Sequence, residues 1–385
     1  MEGYPYEEPS ALPAIRALRK SPCGTMPPPP EAVLHDKLHG AWLGRIAGCM
    51  LGKPLEGIRT EELLPLLRET GNYPLHRYLL SSDITEERIA RYQFPLRDKC
   101  YADTLTEAAA DDDTNYTVLA QLLLEKHGRG FTPADVAALW CEKQPRSAYF
   151  TAERIAYMNY LNGYYPPDSA VWKNPFREWI GAQIRGDYYG YINPGDPEAA
   201  AELAWRDASI SHVKNGIYGE MLVAAMLARA AVSNDREDIL LAGLSQIPAT
   251  SRLYAQLTAV YDDYKAGTPA EAVFAKIHAD FDEHRGHHWC HTLSNARIVA
   301  AALLYGGGDF GSSVCLAVQA GFDTDCNGAT VGSVLGLCLG AGKLDPAWTA
   351  VFHGKLATTL FGVGTVEVST LAETTLRHCQ QEKRT

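Results

Sequence analysis

The sequence predicts an all-α fold, a single large helical bundle, and three observations carry that expectation. Apolar residues recur at helical spacing through long segments of the chain. Runs that alternate apolar and polar at the strand period are scarce, and Gly, Pro and Asp punctuate the joins between the periodic segments. Successive helices joined by such punctuation favour helix-on-helix packing over an α/β architecture.

The first 30 residues hold acidic residues and prolines, with "PPPP" at 27 to 30, and are expected to form a peripheral arm with a stiff polyproline spacer. Residues 31–385 are expected to form the helical domain. It opens with "EAVLHDKLHGAWLGRIAGCMLG", where Val33, Leu34, Leu38, Trp42 and Ile46 keep helical spacing. "TNYTVLAQLLLEKH", "PADVAALWCEK", "GIYGEMLVAAMLARAAV" and "SNARIVAAALLYGGG" follow the same period. Glycine recurs every four residues at Gly40, Gly44, Gly48 and Gly52, and again at Gly328, Gly332, Gly336 and Gly340. Each costs about 1 kcal/mol of helix propensity relative to alanine. Two such rows therefore predict close approach of helix backbones.

Composition bounds the function. The chain has 385 residues, 46% of them hydrophobic and 21% charged, as in a globular protein with a substantial core. A formal net charge of −11 disfavours nucleic acid or an anionic membrane as the main partner and suits a small ligand or a cation. Nine scattered cysteines without CxxC pairs read as free thiols, which points to the cytoplasm. The N-terminus lacks the apolar core of a signal peptide, and no apolar run reaches membrane-spanning length.

The chemistry concentrates in two acidic stretches. "AADDDTNYT" sets Asp111, Asp112 and Asp113 side by side at the start of a helical run. Helix capping accounts for one such residue, or two, and a third adds repulsion that capping does not relieve. "QAGFDTDCNGATVG" repeats the arrangement with Asp323 and Asp325, just before the second glycine-striped helix. Two acidic helix starts far apart in sequence point to one assembled site bridged by a divalent cation. Hard oxygen donors select Mg²⁺, Mn²⁺ or Ca²⁺ over Zn²⁺.

Taken in order, "GAWLGRIAGCMLGKPLEG", "DDDTNYT", "HTLSNARIVAAALLYGGGDF" and "GFDTDCNGATVGSVLGL" resemble the ADP-ribosylglycohydrolase family, from about residue 35 to about residue 365. The resemblance implies an all-α orthogonal bundle with one or two Mg²⁺ or Mn²⁺ ions. The family's Thr-Asp-Asp-Thr motif falls on Asp111, Asp112, Asp113 and Thr114, and its Asp-Thr-Asp-Thr/Ser-Asn motif on Asp323, Thr324, Asp325, Cys326 and Asn327. Asp111, Asp112, Asp113, Asp323, Asp325 and Cys326 are thereby the expected metal ligands. Asp111 and Cys326 stand where relatives carry hydroxyls, and Cys49 stands where the family's Gly-Asp-Ala/Cys-x-Gly motif carries its aspartate.

Asp112, Asp325 and Glu56, the last in the loop after the first glycine helix, are the expected catalytic carboxylates. Gly181, Gln183 and Arg185 fall where relatives place a glycine-rich ribose and phosphate loop. Ser211, His212, His291 and Asn295 also sit at family-like positions, and all seven are expected to touch substrate. The aromatic-rich stretch from Tyr149 to Tyr191 reads mainly as core packing and secondarily as a stacking surface for a planar group. "HRGHHWCH" fits no standard zinc spacing.

The implied reaction is hydrolysis of an N- or O-glycosidic bond to ribose, on an ADP-ribosylated protein or a related ribosyl or nucleoside small molecule. The alternatives are a two-metal phosphoester hydrolase and a non-catalytic ADP-ribose-binding protein on the same scaffold. Oligomeric state is not encoded in any motif.

Overall fold

The computed structural model describes residues 3–381. These residues form 20 α-helices, short 3₁₀ turns and one minimal antiparallel ladder, Lys355–Leu356 against Val366–Glu367. The fold is the all-α bundle that the apolar periodicity predicts.

Its centre is a pair of antiparallel helices, Glu31–Gly52 and Thr324–Leu339, which make the most extensive helix–helix contact in the molecule. The glycine rows explain the pairing. A Cβ added at Gly40, Gly44 or Gly48 would overlap the carbonyl oxygen of Gly336, Gly332 or Gly328 respectively, and the reverse substitutions meet the same obstacle. Only hydrogen fits between these backbones. Gly340 has a separate reason to be glycine: it ends the second helix at φ +82°, a conformation that side chains resist.

The zipper also sets register. Gly52 packs against Thr324, whose hydroxyl donates to the Gly52 carbonyl at 2.9 Å. The C-terminus of the first helix therefore meets the N-terminus of the second, where Asp323 and Asp325 lie. Around this pair pack the helices Asp112–His127, Asn215–Ala230, Thr292–Tyr305 and Val368–Gln380.

The N-terminal arm is tied to the body more firmly than a spacer. Its short helix Leu12–Ala17 buries Leu12 and Ile15 in the common core. Glu8 accepts from Arg252 Nε and Nη2, each at 2.9 Å, and from Asn215 Nδ2 at 2.8 Å, while Tyr218 donates its hydroxyl to the Pro9 carbonyl. Of the proline run, Pro27, Pro28 and Pro30 remain exposed. In the aromatic-rich stretch Tyr149, Tyr188, Tyr189 and Tyr191 are fully buried, as core packing requires, whereas Phe150, Tyr165 and Trp172 are exposed.

Candidate metal centre

Three chain segments meet at the site: the end of the first zipper helix with its following turn, the start of the Asp112–His127 helix, and the start of the second zipper helix. Asp111 is the N-cap of the Asp112–His127 helix, and its Oδ1 accepts from the Asp113 backbone N–H at 2.9 Å. Capping thus explains one member of the triplet. Its other oxygen, Oδ2, is ion-paired with Lys53 Nζ, which follows directly on the first zipper helix.

Asp113 is held by a second internal cation. Arg45, fully buried on the first zipper helix, donates from Nε to the Asp113 carbonyl at 2.8 Å and from Nη2 to Asp113 Oδ1 at 3.2 Å. Its Nη1 lies 2.9 Å from Asp187 Oδ1. The remaining oxygen of Asp113, Oδ2, has no partner, and neither has Oδ1 of Asp325. Both residues are buried, at 0% and 2% exposure. Leaving a buried carboxylate oxygen unpaired is costly unless a cation or a proton takes it.

Ligand-type atoms of Asp113, Asp325 and Cys326 lie within 4.8 Å of one another, and so do those of Cys49, Asp111 and Asp113. The two groups share Asp113. Burial first, and then the neighbouring carboxylates, push the carboxyls of Asp112, Asp113 and Asp325 well above their ordinary range. So many acids cannot all ionise in one place without positive charge. The unpaired oxygens and the predominance of carboxylates around them fit a hard divalent cation.

The departures at 326, 49 and 111 have local explanations. Cys326 is buried, and burial together with Asp113 and Asp323 pushes its thiol up, which favours the neutral S–H over a thiolate ligand. Cys49 lies within the same 4.8 Å group as Asp111. Asp111, the N-cap, has both oxygens engaged, by the Asp113 N–H and by Lys53.

Asp323 begins the second zipper helix and accepts from Cys290 Sγ at 3.3 Å. Asn295 holds this turn in place: its Oδ1 accepts from the Asp323 N–H at 3.3 Å and from Asn327 Nδ2 at 2.8 Å. Its Nδ2 is committed to the carbonyls of Trp289 and His291, both at 3.0 Å. His291 caps the Thr292–Tyr305 helix, accepting from the Leu293 N–H at 3.1 Å. Burial, followed by neighbouring His287, lowers its pKa to about 3, so the ring is neutral. Both residues therefore order the second acidic turn. Asp112 is half-buried, and Glu56 is exposed, in the turn after Lys53. Desolvation of its carboxyl, followed by Asp323 and Asp111, raises the Glu56 carboxyl to about 7.

The structure places the expected substrate loop in the interior. Arg185 is 1% exposed, and its guanidinium is consumed inside the protein. It pairs with Asp207 through Nε, donates from Nη1 to Glu153 Oε1 at 2.6 Å and to the Gly181 carbonyl at 3.2 Å, and from Nη2 to Ser211 Oγ at 2.8 Å. Ser211 in turn meets His212 Nδ1 at 2.8 Å, and Gln183 is equally buried. A Cβ at Gly181 would strike the Glu153 carboxylate. Gly181, Arg185, Ser211 and His212 thus belong to a buried ionic cluster, whereas Gln183 is buried with its Oε1 unpartnered.

Lys53 and Arg45 were not legible as site residues. Arg45 lies inside the glycine-striped helix and Lys53 directly after it, and only the zipper register shows that they reach the acidic triplet. No histidine belongs to either ligand-type group. Among the described residues no helix is long and apolar enough to cross a membrane.

The sequence profile described as ADP-ribosylglycohydrolase matches residues 30–383. Among solved structures, one described as an ADP-ribosylglycohydrolase-related protein complex is similar in fold, with a TM-score of 0.55 at 20% identity, covering 91% of this chain and 99% of its own. No curated protein matches the sequence. With its all-α fold and its assembled acidic centre, this chain belongs to the ADP-ribosylglycohydrolase family.

Proposed function

We propose that this protein is a divalent-cation-dependent hydrolase that cleaves a glycosidic bond to ribose, with an ADP-ribosylated protein or a related ribosyl or nucleoside small molecule as substrate. The observation that carries this reading is the pair of buried, unpartnered carboxylate oxygens, Asp113 Oδ2 and Asp325 Oδ1, at two helix starts far apart in sequence and brought together in the fold. Mg²⁺ or Mn²⁺ is the proposed cofactor, held by Asp113 and Asp325, with Asp112, Asp323 and Asp111 around it and the Cys326 thiol alongside. When bound, such an ion supplies Lewis acidity that polarises ribose hydroxyls and lowers the pKa of water.

The chain's own groups supply the rest. Glu56, with its carboxyl at about 7, is poised near neutral pH to take a proton from the attacking water, and its exposure lets substrate reach it. Asp112, half-buried, orients the ribose. Arg45 fixes one oxygen of Asp113 and leaves the other without a partner. The free cysteines suit a reducing cytoplasm. The acidic charge disfavours nucleic acid and membrane partners.

The test is turnover of ADP-ribosyl-arginine, with products identified by mass, before and after chelation with metal loss verified. Turnover should vanish on metal removal and return with Mg²⁺ or Mn²⁺. Full activity in the metal-free protein refutes the proposal. Phosphate release without glycosidic cleavage would assign a phosphoesterase instead, and tight ADP-ribose binding without turnover of any ribosyl substrate a binding protein.

A further inference from the structure

The two groups of ligand-type atoms share Asp113 but differ in what already fills them. In the group of Cys49, Asp111 and Asp113, both oxygens of Asp111 are spent, Oδ1 on the Asp113 N–H and Oδ2 on the Lys53 ammonium. The Lys53 side chain is only 23% exposed and that of Asp111 2%, so the pair is largely shielded from water. A positive charge is therefore already fixed at this position. In the group of Asp113, Asp325 and Cys326 the one cation at hydrogen-bond range that the structure shows, Arg45, engages only Oδ1 of the Asp113 carboxylate. Asp113 Oδ2 and Asp325 Oδ1 are unpartnered, on residues at least nine-tenths buried.

We propose that Lys53 is a built-in cation that takes the place of a second metal ion, so that the centre binds one divalent cation, on Asp113 and Asp325, and excludes another from Asp111. A divalent ion brought against Asp111 would face the lysine ammonium at contact range, and like charges so close in a shielded site repel strongly. Asp111 and Lys53 act as a unit: the carboxylate satisfies the lysine, and the lysine blocks the carboxylate as a metal ligand. This inference rests on the metal-dependent reading above.

The experiment is Mn²⁺ binding to the full-length protein, counted by equilibrium dialysis with elemental analysis and typed by electron paramagnetic resonance. One ion per chain with a mononuclear six-line spectrum is expected. Two ions per chain with an exchange-coupled spectrum would overturn the proposal, whereas no binding at all would overturn the metal-dependent reading itself. Lys53→Gln, with folding checked by circular dichroism, should admit a second ion and produce the coupled spectrum; stoichiometry still at one would overturn the role of Lys53. Because that variant leaves Asp111 buried and unpaired, Lys53→Ala combined with Asp111→Ala provides an independent arm. The double variant should keep one ion at unchanged affinity, and loss of that ion would show Asp111 to be a ligand and overturn the proposal. Asp325→Asn should weaken the single site by more than the roughly 10- to 100-fold typical of losing an outer partner of a metal ligand.

Discussion

Replacing Gly332 by alanine tests whether the glycine zipper is what assembles the site. The new Cβ would land on the Gly44 carbonyl oxygen, 2.9 Å from the Gly44 carbonyl carbon and 3.5 Å from Gly48 Cα. Ordinary contact begins at 3.4 Å, so clearing the carbon alone moves the helices apart by 0.5 Å, and clearing the oxygen takes more. Both obstacles are backbone and cannot rotate away. A gap of about 0.5–1 Å forfeits a quarter to a half of the dispersion energy of every atom pair along it. Stiff helices spread that gap to the Gly40–Gly336 and Gly48–Gly328 crossings. Overpacking costs about 1–3 kcal/mol, and rigid backbone places this case at the upper end. Alanine returns about 1 kcal/mol of helix propensity. A net destabilisation of about 2 kcal/mol follows from setting overpacking against propensity. The assay is urea denaturation followed by circular dichroism, read as a lower midpoint at unchanged slope. Gly130→Ala is the control, since nothing lies within 4 Å of a Cβ there. A Gly332→Ala protein as stable as wild type would refute the packing argument.

Other expectations concern separate parts of the molecule. Glu56→Gln should leave cation binding intact by calorimetry while lowering kcat by about 10²- to 10⁴-fold, the usual range for losing a general base; unchanged kcat removes Glu56 from the mechanism. Arg185→Met abandons Glu153, Asp207 and Glu220 in the interior, and breaking a buried ion cluster from one side costs about 3–5 kcal/mol, measurable as a shifted denaturation midpoint. Burial alone would raise the Glu8 carboxyl, but hydrogen bonds from Arg252, Tyr4 and Asn215 outweigh it and hold the pKa at about 2, below the ordinary 4.5. That stabilisation is complete above pH 4.5 and disappears as pH falls toward about 2. The stability difference between wild type and Glu8→Gln should therefore shrink across that window, and a difference constant with pH would contradict the ion-pair account of the arm.

Apolar spacing alone was enough to read the helices, because a 3.6-residue period is a local property of the chain. The glycine rows were legible for a related reason: eight costly residues at fixed spacing have few explanations besides close packing. The aspartates at 112, 113, 323 and 325 announced themselves by adjacent charge that capping could not account for. Arg185 misled, because a glycine-rich stretch with an arginine looks the same whether its donors face a ligand or three buried carboxylates. What distinguishes the cases is where Glu153, Asp207 and Glu220 arrive from other helices.

By itself, then, the sequence determined the helical class, the zipper and the acidic halves of the centre, since each is written in neighbouring residues. The tertiary structure alone decided which charges meet. Gly52 against Thr324 sets the antiparallel register, and that register delivers Arg45 to Asp113 and Lys53 to Asp111 while Asp113 Oδ2 and Asp325 Oδ1 are left without partners. Coulomb interactions depend on distance through space. The three adjacent aspartates therefore acquire separate surroundings, one as cap and ion-pair partner, one half-buried and one with a buried, unpartnered oxygen, only once helices distant in sequence have closed around them.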